Sequence, residues 1–274
     1  MSLYGLGLRS LFLNFIATLG RQLGAGLLGL VTAAVIARVY GPEGNGAFAV
    51  ALLLPGMLGT LLNLGITSAN VYFLGSNQIT TKEAVKTSLV FCLWMTVIGL
   101  IVGTLVVVWK GEEFFPNVRR DLLWLALPIF PIALLNGFFT SIFQGLQEFR
   151  VYNKLLIIQP ILFLAALGLV TLSGNKELEL LISAQLLTNF IVLIITSVSV
   201  MRLYLTSSED YPAAGNYHKK AINYGWKAHL GGILAFLNYK ADIFLVNFFM
   251  TPVSAGVYVV AVALAERLWL ISSA

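Results

Sequence analysis

The sequence predicts an all-α polytopic membrane bundle of about eight transmembrane helices, and three observations carry that class. Apolar residues make up 58% of the 274 positions and charged residues only 11%. The apolar residues fall in blocks of roughly 20 to 28, against the ~20 that a helix needs to cross the hydrocarbon core. No window alternates apolar and polar residues for long enough to suggest barrel strands, so helices must satisfy the backbone in lipid.

The first block begins behind the basic end of Met1–Arg9. Its run from Ser10 to Ala37 is far longer than the ~7–15 residues of a signal h-region, so it is expected to stay as a first span. Eight spans are predicted in all, at 11–38, 47–74, 85–109, 122–145, 151–173, 178–203, 222–249 and 253–273. Between the first two lies the Gly/Pro-rich corner Ala37-Arg38-Val39-Tyr40-Gly41-Pro42-Glu43-Gly44-Asn45-Gly46-Ala47-Phe48-Ala49-Val50, which must sit at a membrane surface and turn one span into the next.

The outline of that corner returns at Thr251–Ala261. Pro42 aligns with Pro252, Gly46 with Gly256, Phe48 with Tyr258, Val50 with Val260 and Ala51 with Ala261. The offset is about 210 residues with six spans between the copies, which gives both copies the same orientation. Two parallel lobes would then face one another across a central cleft. The polar stretch from Leu205 to Asn216 reads as the linker between them. The expected organisation is a six-helix lobe over 1–203, a cytoplasmic linker over 204–221, and the first two helices of a second lobe over 222–274. The chain stops before a second lobe could be complete, so a fragment or truncated product is expected.

With the N-terminus inside, the inner segments hold Arg9, Lys82, Lys86, Arg150, Lys154, Arg202, Lys219 and Lys220, and the outer ones Arg38, Lys110, Arg119, Arg120 and Lys176. That bias favours N-in, and orientation explains the net charge of +5 better than a nucleic-acid face does. Cys92 stands alone inside an apolar span and reads as a packing residue. Pro55, Pro128, Pro131 and Pro160 fall within spans, where each removes a backbone hydrogen bond and favours a kink; kinked helices often line cavities, and the other reading is that proline is simply commoner in membrane helices. Gly20/Gly24 and Gly99/Gly103 read as close-packing contacts.

Polar residues inside the spans are the candidates for function. Asn14, Thr18, Arg21, Ala25 and Thr32 share one face of the first helix. A guanidinium this deep costs at least ~2.5 kcal/mol unless it meets water, an anion or a partner, so Arg21 is expected to face the cleft, where its planar fork matches phosphate oxygens. Snorkelling to the inner surface is the alternative.

The seventh span carries Trp226-Lys227-Ala228-His229 and Asn238-Tyr239-Lys240-Ala241-Asp242. Lys227, Asn238 and Asp242 share one face; His229 and Lys240 share another. Lys240 and Asp242 are two apart and do not point at each other along a helix. Asp242 is a candidate for ion coupling or proton relay, with Lys227 and Lys240 as anion contacts; the other reading is an inter-helix charge network. Asn136, Thr140 and Gln144, and Gln185, Asn189 and Thr196, form weaker polar stripes expected to make inter-helix hydrogen bonds, with Asn136 and Gln185 as candidate cleft residues. Glu266-Arg267 could pair locally or reach the inner surface.

No enzyme site is legible. There is no metal-ligand cluster and no nucleophile elbow, and Gly41-Pro42-Glu43-Gly44-Asn45-Gly46 lacks the Lys-Ser/Thr and the strand of a phosphate loop. No cofactor is expected, and the loops are too short for an ATPase or glycosyltransferase domain. Vectorial movement is the work such a chain can do.

The first helix running into Ala37–Ala49, then Asn63-Leu64-Gly65-Ile66-Thr67-Ser68-Ala69, resembles the Wzx-type polysaccharide and O-antigen flippases of the multidrug/oligosaccharidyl-lipid/polysaccharide exporter superfamily. Lys240-Ala241-Asp242-Ile243-Phe244-Leu245-Val246-Asn247-Phe248-Phe249, with Gly256–Ala261, looks like the start of that family's second lobe. The resemblance implies a multi-pass protein of the bacterial cytoplasmic membrane. It would move undecaprenyl-diphosphate-linked oligosaccharide from the inner to the outer leaflet, beside other polysaccharide-assembly membrane proteins. Arg21 and Lys240 would then answer the diphosphate and any acidic sugars. A cation-coupled multidrug exporter of the same superfamily would want acidic residues in its cleft. A non-catalytic subunit binding lipid-linked glycans would want large outer loops.

Overall fold

The structure is a computed structural model that describes residues 8–116, 118–207 and 215–272, with side chains described at Ile16 and from Thr18 to Ala265. Of the described residues 89% are helical, and there is no strand among them. Six helices there are long and apolar enough to cross a membrane, and Pro252–Ala265 is a shorter apolar helix. The first of the six, α1 (Leu8–Leu62), is two helices joined at Gly41, so eight apolar passes follow one another as predicted.

Where each pass starts and stops differs from the sequence reading for local reasons. The corner is not a loop over 39–46 but a break at one residue. Gly41 has φ 71° and ψ 178°, a region open essentially to glycine alone, and Pro42 opens the next helix at once. Pro252 opens α9 (Pro252–Ser272) in the same way. A proline at the first helical position gives up an N–H that had no partner and brings a φ already set for the helix.

The second predicted span breaks at Leu64 and Gly65, with φ of 52° and 73°, and continues as α2 (Ile66–Gly75). The fourth breaks before Pro128, which has no N–H to carry a helix through, giving α4 (Arg120–Ala126) and α5 (Ile129–Gly145). The remaining helices are α3 (Thr81–Phe114), α6 (Phe149–Leu172), α7 (Leu178–Thr206) and α8 (Tyr217–Phe249). The polar ends of α7 and α8 are helical beyond the predicted spans. Residues 208–214 of the predicted linker lie outside the described residues, as do the side chains of Asn14, Glu266 and Arg267.

Helix α5 sits at the centre, against α2, α3 and α7. Its Phe130, Phe138 and Ile142 are wholly buried, beside Leu122 and Leu123 of α4. Gly99 and Gly103 let α3 approach: a Cβ on either would overlap Phe130 or Leu127. Of the other predicted pair, a Cβ on Gly20 would meet open space, whereas one on Gly24 would make ordinary contact with Ile157 of α6 at 3.9 Å. On its outer side α3 presents Leu93, Trp94 and Trp109, each more than 60% exposed, an apolar face that suits lipid. Helix α3 starts on a capping box, Thr80 and Glu83 bonding each other's backbone N–H, worth about 1 kcal/mol.

Alternation of the passes gathers the corner, residues 115–116 and 118–119, 173–177 and 250–251 at one end of the bundle. Arg119 bonds Asp121 and reaches Glu179 at 2.6 Å there, and Asn247 Nδ2 donates to the Pro116 carbonyl at 3.2 Å. The two corners meet at this end. A Cβ on Gly46 would overlap the Pro252 carbonyl and one on Gly256 the Pro42 carbonyl, while buried Asn45 donates Nδ2–H to the Gly256 carbonyl at 2.9 Å. The opposite end is joined where Gly65, at the N-terminal end of α2, meets the backbone of Gly225 in α8.

Candidate functional site

Between these two joints α1 and α8 leave a cleft. A cavity of about 590 Å³ is walled by the second half of α1 (Leu52, Pro55, Gly56, Thr60) and Asn63 just past its end, by α2 (Thr67, Ser68), by α5 (Ala133, Gly137), by α7 (Gln185, Asn189) and by α8 (Ala228, His229, Gly232). A second, of about 420 Å³, lies toward the corner end. It is lined by Thr32 and Asn45 of α1, Gln159 and Pro160 of α6, Gln185, and Phe236 and Lys240 of α8. Leu52, Gly56 and Gln185 belong to both, so the two cavities adjoin. Phe48 and Phe163, stacked with centroids 6.0 Å apart, form its apolar wall.

Pro55 and Pro160 lie on these walls, where the sequence reading set prolines beside a cavity. Small residues, Gly56 and Gly59 on α1 and Gly232 on α8, provide the room. The polar groups are hydroxyls, amides and the His229 imidazole; Lys240 is the one Lys or Arg on the walls, and no Asp or Glu lines either cavity. A space of this kind holds a ligand by shape and by a handful of directed hydrogen bonds.

Each predicted residue has a definite place. Lys240 points into the second cavity and makes no ion pair among the described residues. Gln185 stands where the cavities join, and its Oε1 is buried with no hydrogen-bond partner. Asn136 Oδ1 is orphaned in the same way, but Asn136 lines neither cavity. Lys227 is exposed and also lines neither. His229 and Lys240, set on one face by their spacing, both look into the cleft.

Arg21 has found a partner elsewhere. Its Nε–H donates to Asn153 Oδ1 of α6 at 2.9 Å, and Asn153 Nδ2–H donates to Thr18 Oγ1 at 3.2 Å. This triad holds the start of α1 to α6 and lies off both cavities; Thr32, three turns along the same face, is the residue that reaches the cleft. Asp242 is half-buried and lines neither cavity. It accepts from Tyr258 O–H of α9 at 2.8 Å and from the Ile243 N–H at 2.7 Å, so it joins α8 to α9 and not to Lys240.

The weaker stripes differ from expectation. Thr140 Oγ1 donates to the Asn136 carbonyl and Asn189 Nδ2 to the Gln185 carbonyl, both within their own helices. A helix carbonyl three or four residues back is within reach of a short side chain whatever the neighbouring helix does. The strongest polar node was not foreseen. Asn70, wholly buried, accepts from Tyr217 O–H at 2.7 Å and donates to Ser88 Oγ at 3.1 Å and Ser141 Oγ at 3.0 Å, tying α2, α3, α5 and α8 together. An Asn inside an apolar span is the signal that marks it.

Apolar helices with lipid-facing surfaces and a cleft between them define a multi-pass α-helical membrane protein. The chain belongs to the polysaccharide biosynthesis protein family, whose model covers residues 11–268. This is the Wzx and exporter type of family, so the chain is a membrane flippase or exporter acting in polysaccharide synthesis and its family is of transporter type. No curated protein and no solved structure matches it.

Proposed function

We propose that the protein moves an undecaprenyl-diphosphate-linked oligosaccharide from the inner to the outer leaflet of the bacterial cytoplasmic membrane, with the N-terminus cytoplasmic. One observation carries the reading: the cleft holds a cation, Lys240, and no carboxylate. A half-buried ammonium without a carboxylate partner calls for an anion or water to answer it, and a diphosphate supplies that anion as a glycan-bearing lipid enters. The hydroxyl and amide groups of Thr60, Asn63, Gln185 and Asn189 suit sugar hydroxyls, which both donate and accept.

A cation-coupled drug exporter draws no support from the same cleft, because its one nearby carboxylate, Asp242, is turned to Tyr258. The organisation that fits the reading is a first lobe over 1–203, a linker over 204–221 and the start of a second lobe over 222–274. The meeting of the two corners at one end is what like-oriented copies would do.

The test is to delete the gene and measure lipid-linked glycan in each leaflet, complementing with wild type or Lys240→Ala. Accumulation in the inner leaflet, relieved by wild type and not by the variant, is expected. Normal display on the outer leaflet in the deletion strain would refute the assignment.

A further inference from the structure

A third cavity, of about 400 Å³, opens beside the first at the end of the bundle opposite the corners. It shares Thr67 and Ser68 with the first cavity and adds Val71, Tyr72, Gln144 and Tyr224. Tyr72 lies one turn from the end of α2 and Gln144 at the last turn of α5, so the recess is the mouth of the cleft.

Its chemistry differs from that of the deeper cavities. The rings of Tyr72 and Tyr224 stack with centroids 4.4 Å apart and 14° between planes, yet each remains 40% or more exposed. The pair, with Phe73 in T-shaped contact with both rings, therefore lines the recess with exposed aromatic surface. Neither phenol, nor the Gln144 amide, nor the Ser68 hydroxyl makes a hydrogen bond among the described residues, and none of the lining residues is charged. Tyr217, by contrast, spends its hydroxyl on Asn70. Uncommitted hydroxyl and amide groups around an aromatic platform fit a neutral pyranose, whose axial C–H face packs on a ring while its hydroxyls pair at the edge.

We propose that Tyr72, Tyr224, Gln144 and Ser68 form a saccharide subsite at the mouth of the cleft, which holds an uncharged sugar ring while the anionic linkage lies deeper, toward Lys240. The proposal rests on the flippase reading above, whose N-in orientation places this mouth on the cytoplasmic side. The glycan then loads sugar-last, and the stacked tyrosines discriminate lipids by whether a sugar is attached.

The test measures equilibrium binding to the purified full chain in lipid nanodiscs by microscale thermophoresis. The probes are undecaprenyl diphosphate and the same lipid carrying a neutral N-acetylhexosamine trisaccharide. Wild type is expected to bind the sugar-bearing lipid about tenfold more tightly, the scale of one aromatic contact with its hydrogen bonds. Tyr72→Ala, Tyr224→Ala and Gln144→Ala should each erase most of that preference while leaving the bare lipid unaffected. Gln144 lies outside the stack, so Gln144→Ala decides the matter if a tyrosine variant fails to fold. Unchanged preference in the variants, or equal loss of both lipids, overturns the subsite. Wild type that binds bare lipid with no gain from sugar overturns the subsite alone, whereas wild type that binds neither overturns the flippase reading with it.

Discussion

Gly46 and Gly256 meet face to face: a side chain on Gly46 would strike the carbonyl of Pro252, and one on Gly256 that of Pro42. Each glycine follows its proline by four residues, so the same turn of two helices supplies both halves of the contact. Close backbone approach over small residues is a main source of helix association in lipid, where burial of apolar area gives little. The contact fixes the corner end of the cleft.

Gly256→Ala is therefore expected to force α9 off α1 and lower stability by about 1–3 kcal/mol, the range for overpacking a tight contact. Asn45→Ala should cost a similar amount, because it removes the buried side-chain hydrogen bond that ties α1 to the Gly256 carbonyl of α9. Thermal unfolding of the detergent-purified protein measures both. An unchanged midpoint for Gly256→Ala would contradict the close approach.

The opposite end depends on Asn70. Removing its amide by Asn70→Leu strands the hydroxyls of Tyr217 and Ser88, while Ser141 keeps the Phe138 carbonyl, at an expected cost of about 1–3 kcal/mol for each buried group left unpaired. Tyr217→Phe removes one partner and should cost less. Combined, the two changes should fall short of their sum by about 0.5–3 kcal/mol in a double-mutant cycle, as residues sharing one network do. Additive effects would show that the hydroxyl and the amide act independently.

Gln185 separates stability from transport. Its Oε1 is buried without a partner, so Gln185→Leu relieves an unpaired polar group and should leave the melting temperature unchanged or raised. The same change makes the junction of the two cavities apolar, and glycan export should fall. Export at the wild-type level with an apolar junction would place the substrate path elsewhere.

Much of this was legible in the sequence, and the limits are physical. Apolar run length predicts the passes because the bilayer thickness fixes it. Pro42 with Gly46 and Pro252 with Gly256 announce a paired corner because only those residues permit the break at Gly41 and the close contact. Spacing placed His229 and Lys240 on one face and kept Asp242 from Lys240. Spacing does not say what a face meets, however. Arg21 has its predicted azimuth but is met by Asn153, 132 residues away, before the cleft begins. Asn70 gave no periodic signal, since its partners lie 18, 71 and 147 residues distant on three different helices.

The central claim is that Lys240 receives the anionic linkage of a lipid-bound glycan inside the cleft. Proteoliposomes loaded with undecaprenyl-diphosphate trisaccharide on one leaflet, probed with a lectin from the other, measure it directly. Wild type and Lys240→Arg should expose sugar at comparable rates, and Lys240→Glu should expose it at the protein-free rate. Sugar transfer by Lys240→Glu as fast as by wild type would contradict the account.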